Sequence, residues 1–182
     1  MTCIVGLIED GRIWMGGDSC ASNGTTRTLN TPKVFRRGPY LIGFAGSMRE
    51  GHIMQYIVKL PDPPRTNLDK FMATDFTNAM RKGFKAGGQM GQVNQREEHV
   101  SNFMLAVRGR LYTSWQDFQI IGPRAGYDAI GSGADAALGA MYALNPYNVA
   151  PRQKILAALK ASAQFNEKVA PPFHIRSIGV SE

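Results

Sequence analysis

The chain has 182 residues, 43% of them hydrophobic, enough for one well-buried core and too few for two ordinary domains, so residues 1–182 are read as a single domain. Its formal net charge of +7 is scattered, with Arg36-Arg37 and Arg81-Lys82 the densest pairs and no aromatic stripe between them, which argues against a nucleic-acid partner. No apolar run reaches the roughly 18 residues that span a bilayer, no secretory pattern opens the chain, and Cys3 and Cys20 fit neither a disulfide framework nor a zinc site, so a cytoplasmic protein without membrane, metal or cofactor is expected.

Residues 2–8 are apolar at successive positions, as in a strand covered on both faces. Glu9-Asp10-Gly11 signals a turn, and residues 12–17 return as a second strand. A three-residue loop sets Thr2 opposite Asp18, whereas a two-residue Asp-Gly loop sets Cys3 there, and the sequence leaves both open. A second hairpin runs from Lys33-Val34-Phe35-Arg36 through Arg37-Gly38-Pro39 into Tyr40–Gly43, where a three-residue loop sets Lys33 opposite Gly43.

Two helices are then expected. The first covers about Met48 to Leu60, with Ile53, Met54, Ile57 and Val58 on one face and Pro61 as its stop. The second begins with Thr66 as cap and places Leu68, Phe71, Met72, Phe76, Ala79, Met80 and Phe84 in one stripe. Gly87–Gly91 reads as a loop. Strands follow at Phe103–Val107, Leu111–Trp115 and Phe118–Ile121. Gly131-Ser132-Gly133 opens a small-residue helix to Leu144, Pro151 starts another to about Phe165, and a last strand spans Phe173–Val180.

Thr2 stands out chemically. Freed of Met1, it carries a hydroxyl nucleophile and an α-amine of pKa about 8 on one residue. Threonine is small enough for Met1 removal to be expected, and no longer leader precedes Thr2 in this sequence. Lys33 offers a cation that eases alkoxide formation, Asp18 a counter-charge that neutralises and orients it, and Gly43 a backbone N–H for an oxyanion. Each residue is ordinary by itself. His52, His99 and His174 have no recognisable serine or cysteine partner and read as surface or core histidines.

The order Thr2-led strand, Gly17-Asp18, Lys33-Val34, Gly43-Phe44-Ala45-Gly46 and Gly131-Ser132-Gly133 resembles the N-terminal-nucleophile hydrolases, and among them the proteasome β subunits and the peptidase HslV. The resemblance covers nearly the whole chain. It implies an α+β, four-layer α/β/β/α sandwich, with which the element order agrees. It also implies a threonine endopeptidase in a homo-oligomeric double ring, fed unfolded polypeptide by an ATPase unfoldase, with Ser132 supporting the amine. Where many members carry an acidic residue, this chain reads Gln164-Phe165-Asn166-Glu167, and Asn166 is the residue placed to orient Ser132. Two alternatives accompany this reading: an inactive ring-forming protein of the same fold, and a non-proteolytic amidase.

Overall fold

The computed structural model describes residues 2–22, 27–28, 32–93 and 96–179; Met1 and Val180, on which expectations fell, lie outside them. The first part comprises β1 (Ile4–Glu9), β2 (Arg12–Gly17), β3 (Ala21–Ser22), β4 (Arg27–Thr28), β5 (Val34–Arg37), β6 (Tyr40–Ala45) and α1 (Met48–Tyr56). Then come α2 (Leu68–Phe71), a π-helical turn (Met72–Phe76), α3 (Thr77–Ala86), β7 (Gly91–Val93), β8 (Arg96–Glu98), β9 (Asn102–Val107), β10 (Arg110–Ser114) and β11 (Ile120–Ile121). The chain continues through β12 (Tyr127–Ile130), α4 (Ala134–Leu144), α5 (Pro151–Phe165) and β13 (His174–Gly179).

Two antiparallel sheets, ordered β12-β1-β2-β13 and β11-β10-β9-β6-β5, pack face to face. Strand β1 shows why both of its faces had to be apolar. Ile4 points into the layer between the sheets, with Met15, Leu41, Met104 and Leu111, while Val5 and Leu7 point outward onto Ile155, Ala158 and Leu159 of α5. On the far side, Ile42, Phe44, Phe103 and Leu105 meet Ile53, Met54, Phe76, Met80 and Phe84 of α1 to α3. Three buried apolar layers thus separate four layers of secondary structure, the α/β/β/α sandwich.

Both hairpins close with two residues. Asp10 and Gly11 have φ of 53° and 65°, so Glu9 faces Arg12 and Ile4 faces Gly17. The Asp18 N–H accordingly donates to the Cys3 carbonyl at 3.2 Å, which settles the open register in favour of Cys3. In the second hairpin the three-residue expectation is corrected: Arg37 faces Tyr40, and Val34, not Lys33, lies opposite Gly43. Gly38, at φ 54°, supplies the positive dihedral that lets Gly38-Pro39 suffice. Arg37 stays in the strand, where its guanidinium donates to the carbonyls of Met54 and Val58 at 2.9 and 2.7 Å.

Those bonds also explain why α1 stops at Tyr56 and not near Leu60. The chain tightens there, Val58 N–H returning to the Ile53 carbonyl at 2.9 Å, so Val58 is buried but Ile57 is 42% exposed. The second helical stretch starts from Asn67, at φ 56°, instead of Thr66. Its apolar stripe is core throughout, with Ala79 at the margin. Gly87 closes α3, and Gly91, expected in a loop, begins the β7–β8 hairpin. Strand β12 was not anticipated from its short, half-buried run.

Candidate active site

Thr2 precedes β1, Asp18 follows β2 and Lys33 precedes β5, so all three lie just beyond the strand ends at one edge of the sandwich. Their side chains converge. Lys33 Nζ donates to Thr2 Oγ1 at 2.8 Å, to both carboxylate oxygens of Asp18 at 3.0 Å, and to the Cys20 carbonyl at 2.6 Å. Asp18 is held in turn by the N–H groups of Cys3 and Cys20, at 3.0 and 2.8 Å. Thr2, Asp18 and Lys33 are 2%, 0% and 2% exposed.

Burying an ammonium without a counter-charge costs several kcal/mol, so Lys33 occupies this place only because Asp18 does too. Burial pushes the Lys33 ammonium below its ordinary 10.5, with Asp18 opposing the shift. The neighbouring Cys3 thiol is pushed up to about 11, chiefly by burial, which keeps it a thiol at neutral pH.

The Gly131-Ser132-Gly133 turn fixes the Thr2 backbone. Gly133 N–H donates to the Thr2 carbonyl at 3.2 Å, and Ser162 Oγ donates to the Gly133 carbonyl at 3.0 Å. Gly131, at φ 97°, packs so closely that a side-chain carbon there would overlap the Thr2 carbonyl and lie 3.1 Å from Ala45 Cβ. Ser132 is exposed. Asn166 Nδ2 donates to the backbone carbonyl of Ser132 at 2.8 Å, so Asn166 holds that residue through its main chain. Ser162 was missed in the sequence, where a helix-interior serine carries no signal of its own, and Gly131 was noted there only as part of the Gly131-Ser132-Gly133 motif.

Gly43 is not brought to the site. A Cβ there would meet Ile4 and Met15 at 2.6 and 2.9 Å, inside the layer between the sheets. Because Phe44 N–H donates to the Lys33 carbonyl at 3.1 Å, the alternation of the ladder turns the Gly43 N–H the other way, toward β9. The same alternation aims the N–H of Gly46, after the last pair Ala45–Asn102, to the side of β6 on which Lys33 lies. Gly46 has φ 141° and follows Ala45, which borders Gly131.

Of the histidines, His52 is exposed, His174 is half-buried and His99 is buried in the core beside Glu50. Among the described residues no group of three or more His, Cys, Asp or Glu could hold a metal ion, and no helix is long and apolar enough to cross a membrane.

No protein-family model matches the chain. Among solved structures it is similar to BPH from Thiobacillus denitrificans in complex with epoxomicin, with 20% identity over 100% of both chains and a TM-score of 0.83. It is also similar to HslV from Trypanosoma brucei, 18% identical over 98% of this chain and 99% of that one, with a TM-score of 0.69. Anbu, an ancestral beta-subunit from Yersinia bercovieri, is 15% identical over 98% of this chain and 82% of its own, with a TM-score of 0.70. The chain therefore has the α/β/β/α fold that these proteasome-like and HslV structures share.

Proposed function

We propose that this chain is a threonine-type peptidase whose nucleophile is Thr2 and whose general base is the α-amine of the same residue. The observation that carries this reading is the 2.8 Å hydrogen bond from the buried Lys33 ammonium to Thr2 Oγ1, with Asp18 as counter-charge. In the proposed reaction Thr2 Oγ1 attacks the peptide carbonyl carbon while its proton passes to the amine. Lys33 stabilises the developing negative charge at Oγ1, and the Gly46 N–H, in the role first sought at Gly43, receives the oxyanion. The C–N bond breaks as the Thr2 ammonium gives its proton to the leaving amine, and water, deprotonated by the freed Thr2 α-amine, then hydrolyses the acyl ester and returns the proton to Thr2 Oγ1. Ser132 lies beside the amine in this scheme, oriented by Asn166.

An epoxyketone, which captures a hydroxyl and its adjacent amine together, tests the assignment. Epoxomicin should add one equivalent per active subunit, located on Thr2 by peptide mapping. Cys3, with its thiol held near 11, should stay unmodified. An adduct on Cys3 or Cys20 alone would reduce the reactivity to incidental thiol chemistry.

The amine must be free, because an acylated nitrogen is an amide and cannot act as a base. A tag fused directly before Thr2 should silence the enzyme, and proteolytic exposure of Thr2 should restore it. Intact-mass analysis that finds Met1 retained in material still cleaving peptides would refute the amine mechanism.

Assembly into a homo-oligomeric double ring, served by an ATPase unfoldase that supplies unfolded polypeptide, belongs to the same proposal. The exposed Tyr56, Tyr142, Tyr147 and Phe165, between 65% and 81% accessible in the single chain, support it. An inactive ring-former is the second reading, favoured by the uncharged Asn166, whose amide bonds the Ser132 backbone.

A further inference from the structure

Glu50 is an unusual first-turn residue. An acidic side chain near a helix N-terminus ordinarily lies in water, where it complements the dipole, yet Glu50 is 1% exposed. Its carboxylate turns inward from α1 to the segment just before β9, accepting the N–H of Val100 at 3.0 Å through Oε1 and that of Ser101 at 2.8 Å through Oε2. His99 Nδ1 lies 3.5 Å from Oε2. Its ring packs among Phe84, Phe103 and Phe118, with centroids 5.0, 5.8 and 4.6 Å away. Burial raises the Glu50 pKa, but the His99, Ser101 and Val100 contacts outweigh it, so the carboxyl titrates below 4.5.

The segment held this way bears on one turn. Ser101, itself 0% exposed, accepts the Ser47 N–H on its hydroxyl at 2.9 Å. It also fills the space beside Gly46, where a Cβ would fall 2.6 Å from Ser101 Oγ and 2.7 Å from Ser101 Cα. Ser47 closes the loop by accepting the Glu50 N–H on its own hydroxyl at 3.4 Å. The Gly46-Ser47 turn, with φ 141° at Gly46, is therefore gripped from α1 and from the segment leading into β9 at once.

We infer that Glu50 and Ser101 form a clamp that aims the Gly46 N–H at the reacting carbonyl, which makes both of them positioning residues. The inference rests on the assignment of Thr2 and Gly46 proposed above. Neither residue touches substrate. Glu50 fixes Ser101, Ser101 fixes the turn, and the turn sets where the N–H points. A donor displaced by a fraction of an ångström still allows substrate to bind and fails only when the oxyanion forms, so the clamp should act on kcat and not on KM.

Two substitutions test this. Glu50→Gln replaces one carboxylate oxygen by an NH2 that confronts a backbone N–H, and Ser101→Ala removes the acceptor of Ser47 N–H while leaving Glu50 and its two backbone bonds in place. Ser101→Ala therefore remains informative if Glu50→Gln fails to fold. With a peptide substrate, each should lower kcat by about 10- to 100-fold, short of the ~10²–10³ typical for outright loss of an oxyanion donor. KM should stay within twofold. Affinity for a peptide boronate, whose tetrahedral adduct places an oxygen where the oxyanion forms, should fall in parallel with kcat, while affinity for the same peptide without the boronate is unchanged. Unaltered kcat and boronate affinity in Ser101→Ala, or equal losses for the boronate and the plain peptide, would overturn the clamp. Thr2→Ala in the same series separates the two claims: turnover that survives it defeats the assignment of the site, whereas Thr2-dependent turnover indifferent to Ser101 defeats only the clamp.

Discussion

Thr2→Ala reduces peptide hydrolysis to background while the fold and the assembly persist; that is the largest effect expected. The hydroxyl is the group that attacks the peptide bond in the proposed chemistry, and the thiol of Cys3, held protonated by burial, does not replace it. The structural loss is small, because Lys33 keeps both oxygens of Asp18 and the Cys20 carbonyl. Steady-state turnover, together with circular dichroism and native mass, checks both halves. Undiminished turnover in a folded variant would remove Thr2 from the mechanism.

Lys33→Ala should lower kcat by at least the ~100-fold typical of losing one electrostatic stabiliser. It also leaves Asp18 buried without its cation, and breaking a buried pair this way typically costs about 3–5 kcal/mol. The rate should therefore be measured well below the melting temperature, which separates the two effects. Asp18→Asn should be milder in rate, because the amide oxygen can still accept one of the two backbone N–H groups that Asp18 now holds. Since burial lowers the Lys33 pKa, the charged form is lost on the alkaline side before a free lysine would lose it. The alkaline limb of the rate profile should thus begin below 10.5. A folded Lys33→Ala enzyme of normal kcat would leave Lys33 as no more than the structural counter-ion of Asp18.

The layers were legible because each demands a pattern: a first strand apolar at successive positions, as one covered on both faces must be, and helices with one apolar stripe. The meeting of Thr2, Asp18 and Lys33 was legible in part: the β1–β2 hairpin returns Asp18 to the start of β1, whereas Lys33, before a strand of the other sheet, was joined to them by the order of motifs and not by strand pairing. What escaped were choices that depend on parity. Gly43 and Gly46 stand in one four-residue motif, and only the ladder's alternation, anchored by Phe44 N–H on the Lys33 carbonyl, decides which N–H faces the site. The loop lengths hinge on positive dihedrals, at Asp10 and Gly11 in the first hairpin and at Gly38 in the second, that composition does not announce. The buried Glu50–His99 contact escaped for another reason: its members are 49 positions apart, and neither residue type advertises burial.

The two-residue turn at Asp10-Gly11 has a consequence for how this chain is to be aligned with distant proteins. At about 3.3 Å per residue the turn lies roughly 26 Å from Asp18, far from any substrate. What has to be kept is the pairing of β1 with β2, because a slip of one residue in that ladder would move every side chain of β2 to the opposite face and carry the Asp18 carboxylate away from Lys33. An added residue taken up within the loop leaves the site intact. An alignment with a distant chain is therefore sound here when it holds Ile4 opposite Gly17, whatever the length of the turn between them.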